Sequence, residues 1–447
     1  FLAFIIMIKT TTASAEYFHR ISQALKDAGA FRPTLVIDKT RFDENLKHLM
    51  DVIQQGFDYR IVAKSLPSIP LLEYIMERSG SNRLMSFHLP FLFHVVKHLP
   101  HADVLLGKPM PITAAQQFYS WHSTLSSSSL SSSSFKPAEQ LHWLVDSLDR
   151  LQQYQELAKR LNCVINVNLE IDVGLHRGGF INNDEFHQSI LLLNNNPHLK
   201  LTGLMGYEAH VSKMPKLIGG SKKAFSVAMN LYQQCINTIK EVMGSEAAAK
   251  LIFNAGGSST YPLYAKNKDG NKSQSDFITE IATASALVKP TDFDVATLEH
   301  HKPACFIATP VLKLVKNPEI PMLTGLSSVL RTMGLLPKQA CFIYGGNWLA
   351  SPCFPADSQR SSILGHSSNQ EMYELKDNHT IKVDDYFYFR PSQSEAVLLQ
   401  FGKIAVYDNG KIIDWWSIFH SETTTIDEEE NHKSINNNKN KNTKEIE

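Results

Sequence analysis

Tyr59 to Pro67 reads YRIVAKSLP. Tyr59, Ile61, Val62 and Ala63 make a short apolar run of strand-forming residues that also carries Arg60, and Lys64 closes it. A helix-like stretch, Ser68 to Arg78, follows. A lysine at the mouth of a buried strand is an unusual place for a charge. Burial penalises an ammonium group and frees a neutral amine to attack a carbonyl. A Schiff base with an aldehyde cofactor such as pyridoxal 5′-phosphate (PLP) needs such an amine. Most strand-end lysines only reach for solvent, so the stretch takes its meaning from what surrounds it.

Outward from Lys64, strand and helix patterns alternate. Counting its own strand as the first, Leu84–Phe87 is the second, Asp103–Gly107 the third and Leu141–Asp146 the fourth. Val164–Asp172, Leu199–Gly206, Leu251–Ala255 and Phe277–Ile281 complete the set. Helical spacing separates nearly all of them: Phe91, Val95 and Val96; Ile112 to Trp121; Ser147 to Leu161; and a long stretch near Lys216 to Met243. Eight strands so divided predict an α/β fold, a parallel (β/α)8 TIM barrel. Chemistry in such barrels sits at the C-terminal strand ends, where Lys64, Arg177, Tyr207 and Gly256 fall. Ahead of the barrel strands, Thr34–Asp38 reads as a strand, and Thr40 as the cap of a helix running to Gln55.

After about residue 290 the pattern changes. Cys305–Val315, Ala340–Tyr344, Tyr386–Phe389, Ala396–Phe401 and Ile404–Tyr407 are short β-rich runs divided by Gly, Pro and Asn-Gly. Asp408-Asn409-Gly410 is a hairpin turn. This predicts a second, mainly antiparallel β domain. The expected organisation is an N-terminal extension over 1–30, a barrel over 31–293, a β domain over 294–422 and a disordered tail over 423–447. A Ser-rich insertion over 123–137 interrupts the barrel, with STLSSSSLSSSSF at 123–135 reading as a flexible surface segment.

With 447 residues, the chain has room for two domains. The 44 basic and 44 acidic residues balance to zero formal charge. No basic field is present to hold nucleic acid or an anionic membrane. Cys163, Cys235, Cys305, Cys341 and Cys353 are scattered and lack CxxC spacing, which points away from a disulfide framework and towards a reducing, cytoplasmic compartment. FLAFIIM at the N-terminus is too short to span a bilayer. It reads as the end of a signal segment or as upstream read-through before Met7, and the second is preferred.

Four motifs carry candidate chemistry. In EIDVGLHRGG, residues 170–179, a strand ends at Asp172 and Arg177 follows the turn, placed to pair with an acidic oxygen. A solvated loop arginine is the plain alternative. In NAGGSST, residues 254–260, glycines allow close backbone approach, and hydroxyls and amides suit a phosphate. The loops after strands seven and eight are the usual phosphate site of such barrels. In GYEAH, residues 206–210, Tyr207 and His210 stand at a strand end, able to stack on or bond to a planar ring. In PSQSE, residues 391–395, Gln393 and Glu395 share a face if that segment is a strand, and offer two oxygen donors to a cation or a substrate.

Together with ITEIATASALVKPTDFD at 278–294, these motifs resemble the alanine-racemase-like, fold-type III PLP enzymes, in particular the branch of D-threonine aldolase and D-serine dehydratase. The resemblance runs from about Phe31 to Phe419. It implies that Lys64 carries the Schiff base, that Arg177 contacts the region of the cofactor's phenolic oxygen, and that Gly256, Gly257 and Ser258 hold the phosphate. Tyr207 would lie beside the ring, and a homodimer is implied. The lyases of this branch carry a His-x-Cys or His-x-Asp metal pair, and the matching positions here are Gln393 and Glu395. Gln is a weak ligand, so a divalent metal is in doubt. The expected function is a PLP-dependent lyase acting on small D-β-hydroxy-amino acids, with Lys64 as base and Glu395 handling the hydroxyl. The alternatives are an amino-acid racemase, which needs a second base, and a PLP carrier without turnover.

Overall fold

The computed structural model describes residues 2–127, 134–266, 274–322 and 324–419. Contacts divide the chain into two compact units. One comprises Gly56–Gly257, Lys266–Ala282 and Ile418–Glu447; the other comprises Phe1–Gln55, Ser258–Ala265 and Thr283–Ser417.

The first unit is a closed barrel of eight parallel strands: Asp58–Val62, Arg83–Ser86, Asp103–Leu106, Leu141–Val145, Ile165–Ile171, Leu199–Gly206, Ile252–Ala255 and Glu280–Thr283. All eight fall where the alternation predicts them, with ends displaced by a few residues. The strands are largely buried on both faces and mostly apolar, as a sheet lined inside by side chains and outside by helices demands. The helix after Lys64 spans Ile69–Ser79; Pro70 sits in its first turn and Gly80, at φ 73°, ends it. The helix expected to stop at Trp121 runs on to Ser127, because STLSS prolongs it. The rest of the Ser-rich run, 128–133, and the tail from 420 lie outside the described residues. Strand seven is followed by a single 3-10 turn, Tyr261–Tyr264, and by no α-helix among the described residues.

Buried charge fills part of the barrel. Arg60 is 1% exposed and grips the Glu280 carboxylate through Nε and Nη2 at 2.5 and 2.8 Å. Arg83 donates to the same carboxylate at 2.8 Å, and Asn254 Nδ2 does so at 2.7 Å. Arg60 also faces Asp103 at 2.8 Å, and His142 bonds that carboxylate at 3.0 Å. Strands one and eight, which close the barrel, are thus joined by a bidentate ion pair.

The second unit is built on a nine-stranded, mainly antiparallel sheet. Cys305–Lys316 and Gln339–Tyr344 pair antiparallel, as do Tyr386–Pro391 and Cys305–Lys316. Thr34–Asp38 belongs here and not with the barrel. It pairs antiparallel with Cys305–Lys316 and parallel with Lys403–Asp408, and all five of its residues are buried. The helix behind it, Lys39–Ile53, is capped by Asp38, whose carboxylate accepts from Arg41 N, and not by Thr40. The N-terminal segment is no appendage. In helix Leu2–Asp27, Phe18, Ile21, Ala24 and Leu25 pack against Val36, Phe306, Tyr388 and Tyr407 of this sheet. Ser22 Oγ meets Tyr388 Oη at 2.8 Å, and Tyr17 Oη donates to Asp38 at 2.8 Å. The hairpin at Asn409-Gly410 forms as expected, both residues at positive φ (46° and 85°) with Asp408 opposite Lys411. The run Ala396–Phe401 is not a strand. Helix Ser394–Leu398 stands there, because Val397 and Leu398 turn together into the core.

Candidate active site

The first strand ends at Val62, and a one-turn 3-10 helix, Ala63–Ser65, lifts Lys64 just past it. Lys64 is half-buried. Its Nζ lies 4.3 Å from the centre of the Phe87 ring, a cation–π contact. Phe87 follows the second strand, and the tip of its ring abuts Gly107, which follows the third. A Cβ at Gly107 would meet the ring at 2.1 Å, so only glycine admits it. Nothing in the sequence pattern marks Phe87, because its partner is a glycine twenty residues on.

After strand five the chain doubles back tightly. Asp172 N donates to Phe180 O and Phe180 N to Glu170 O, both at 2.8 Å, which leaves Arg177 at the tip. Asp172 Oδ1 accepts from Gly174 N and His176 N at 2.8 and 3.0 Å. Burial opposes its charge, but these N–H groups outweigh burial and hold its carboxyl below the ordinary carboxylate range. Arg177 is exposed, and its guanidinium carbon stands 5.1 Å from the centre of the Tyr207 ring. Glu170, Asp172, Arg177 and Tyr207 line one small cleft. Burial pushes the Glu170 carboxyl up; Arg177 opposes this, and Asp146 and Asp172 add to it.

Tyr207 follows strand six and lies against Gly257, after strand seven; a Cβ at Gly257 would come within 2.7 Å of Tyr207 Cε2. Gly256, at φ 86°, donates its N–H at 3.2 Å to Glu208, a carboxylate with no solvent exposure. Glu208 stands inside GYEAH, yet the motif alone gives it no role. It draws one of the three expected phosphate donors, the Gly256 amide, towards itself. His210 sits beside Gly174, where a Cβ would stand 3.4 Å from its Nε2, and its imidazole pKa is lowered by burial and by His176.

Ser258, next along the chain from Gly257, belongs to the other unit. Its Oγ accepts from Ala286 N at 3.0 Å and meets Thr283 Oγ1 at 2.8 Å. This ties the loop after strand seven to the loop after strand eight. Behind them Tyr261 Oη donates to His301 Nε2 at 2.5 Å, and His301 Nδ1–H donates to Ala286 O at 3.0 Å. Ser285 Oγ lies 3.3 Å from Ser394 Oγ, which brings the PSQSE turn to the same place.

Gln393 and Glu395 do not share a strand face. Gln393 is the N-cap of a short helix, and Glu395 lies in its first turn. Gln393 Nε2 donates to Asp292 Oδ2 at 3.0 Å. Among the described residues no three His, Cys, Asp or Glu side chains gather as a metal site. Two hard oxygens from one turn, one of them an amide, do not fit zinc.

PLP is a different case. The barrel unit offers an amine at the first strand end and an aromatic wall at Tyr207 over a glycine that admits it; the other unit, taken by itself, holds the buried hydroxyls of Ser258, Thr283 and Ser285. These residues fit an aromatic aldehyde bearing a phosphate ester.

A family model, the N-terminal domain of alanine racemase, matches residues 37–271, more than half of the chain. The chain belongs to this family. Its members are fold-type III PLP enzymes. Among solved structures, D-threonine aldolase from Filomicrobium marinum is similar in fold, with a TM-score of 0.65 at 14% identity, covering 87% of this chain and 94% of that one. D-threo-3-hydroxyaspartate dehydratase from Delftia sp. HT23 gives 0.63 at 13% identity, covering 87% and 97%. Alanine racemase from Clostridium difficile 630 gives 0.59 at 15%, covering 86% and 98%. No curated protein matches the sequence. Among the described residues no helix is long and apolar enough to cross a membrane.

Proposed function

We propose that this family member is a PLP-dependent lyase acting on D-amino acids that carry a β-hydroxyl, of the aldolase or dehydratase type. The observation that carries the proposal is Lys64 at the C-terminal end of the first barrel strand, with Arg177, Tyr207 and the Gly256–Gly257 turn at the ends of strands five, six and seven. The fold likeness to an aldolase and a dehydratase supports the substrate class.

PLP supplies an electron sink for bonds broken at Cα. The chain's own residues do the rest. Lys64 holds the cofactor through its amine and then accepts the proton from the substrate. Tyr207 would lie beside the ring. Arg177 offers its guanidinium to the phenolic oxygen. Gly257 and Ser258 hold the phosphate, and Gly256, whose amide goes to Glu208, shapes the turn. Glu395 manages the β-hydroxyl in place of a metal. The working form is a homodimer acting on a small-molecule substrate.

The test is product analysis after incubating the PLP-loaded protein with D-threonine, D-serine and their L-forms. Glycine plus an aldehyde from D-threonine identifies an aldolase, and a keto acid plus ammonia identifies a dehydratase, with the L-forms untouched. Recovery of the amino acid with inverted Cα and solvent deuterium would replace the lyase by a racemase.

A further inference from the structure

The second unit, taken by itself, carries an excursion between strands Cys305–Lys316 and Gln339–Tyr344. Asn317 N donates to Lys338 O at 2.7 Å and closes its base. Within it stands helix Thr324–Thr332, and that helix is inside out. A surface helix ordinarily turns its apolar side chains inward and its polar ones to water. Here Ser327 is 1% exposed, and its Oγ accepts from Ile320 N at 3.0 Å. Arg331, the one charged residue between Ile320 and Leu336, is half-buried and donates from Nη2 to Pro318 O at 2.7 Å. Leu326, Val329 and Met333 are left outside, 47%, 53% and 67% exposed. At i, i+3 and i+7 they form one stripe. Met322, just before the helix, and Leu335, just after it, enlarge the apolar surface at 99% and 65% exposed.

The stripe is held in place before anything covers it. The Ser327 and Arg331 bonds fix the helix on the segment before it. Met333 N still donates to Val329 O at 3.1 Å, and Gly334, at φ 73°, ends the run. A monomeric surface seldom leaves such a patch open. With Arg331 turned inward, the stripe has no cation to draw it to an anionic lipid surface. It also has no charge for a charged partner to match. What it matches is itself. About a twofold axis at Val329, two such helices run antiparallel, and Leu326 of one copy lies against Met333 of the other. Gly325, Ser328 and Thr332 beside the stripe are small enough for close approach, and Thr332 spends its hydroxyl on Ser328 O at 2.9 Å. Covering the five apolar side chains on both copies removes on the order of 1,200 Å² from water, the lower end of what a stable interface buries.

We infer that helix Thr324–Thr332 docks on the same helix of a second copy of this chain. None of its residues belongs to the site described above, so the inference stands apart from the cofactor reading.

Sedimentation equilibrium on the full chain tests it. The native chain is expected to self-associate. Val329→Asp and Met333→Asp, each at an exposed position, are expected to weaken association on the order of tenfold or more, with circular dichroism unchanged. Val329→Cys, on the axis, is expected to give a disulfide-linked dimer on mild oxidation. The native chain, whose five cysteines are buried or half-buried, is expected to give none. A native chain that stays monomeric at about 100 µM, where an interface of this size holds, would overturn the inference. So would an association that neither aspartate alters. Vesicles of neutral lipid separate the remaining occupant: native chain that pellets with them and is released by Val329→Asp, with its mass in solution unaltered, gives the face to a lipid surface and overturns the pairing.

Discussion

At the scale of single residues, the reading of Lys64 depends on place more than on type. Its position after a β-prone run is legible, because an apolar run closed by a charge shows where a strand meets the mouth of a barrel. Arg177, Tyr207 and Gly257 are legible for the same reason. Phe87, Glu170 and Glu208 are not, because their partners are distant in sequence or in fold: a glycine after another strand, an arginine across a loop, and a backbone amide forty-eight residues away. His301 is equally silent in the sequence, and it carries a pH prediction. Burial lowers its imidazole to about 4; the bond from Nδ1–H to Ala286 O opposes this, and His48, Lys289 and His300 add to the lowering. In the unfolded chain a histidine titrates near 6.5. Between those values the unfolded state binds more protons, so the stabilisation present above about pH 6.5 is lost as pH falls towards 4. The loss is on the order of 2–3 kcal/mol. Denaturant melts across that range should show the slope in the native chain and a flatter one in His301→Gln. An equal slope in both would refute the assignment.

At the scale of elements, periodicity finds the barrel strands because they are mostly apolar and nearly all are followed by a segment of another period. It fails at Ala396–Phe401, where a short apolar run fits a strand and a buried helical turn equally well. The shared-face argument for Gln393 and Glu395 fails with it. It fails also at the N-terminal helix, whose packing partners lie about three hundred residues on or more, in strands Cys305–Lys316 and Tyr386–Pro391. The closure of the barrel gives an element-scale prediction. Glu280 accepts from Arg60, Arg83 and Asn254 with no solvent exposure, so Glu280→Ala leaves a buried guanidinium without its partner. Breaking such a pair costs about 3–5 kcal/mol. Urea unfolding should report a loss of that size; a loss under about 1 kcal/mol would mean that Arg60 is held by Asp103 alone.

At the scale of the whole molecule, the order of elements specifies a barrel followed by a β domain, and both are present. What order cannot show is that the chain crosses between the two units several times. Thr34–Asp38 enters the second sheet before the barrel begins, and Ser258–Ala265 returns to that unit between strands seven and eight. Strand pairing between residues nearly four hundred apart leaves no local trace in a sequence. The division falls inside one motif: in NAGGSST, Gly257 ends the barrel's segment and Ser258 begins the other's.

The central claim is that Lys64 is the cofactor's anchor, and one measurement addresses it most directly. The purified chain is loaded with PLP, reduced with borohydride, digested, and read by mass spectrometry. The account predicts one pyridoxyl group on the peptide bearing Lys64, and none at stoichiometric PLP in Lys64→Ala. A label on another lysine, or retention of the covalent label by Lys64→Ala, would contradict it.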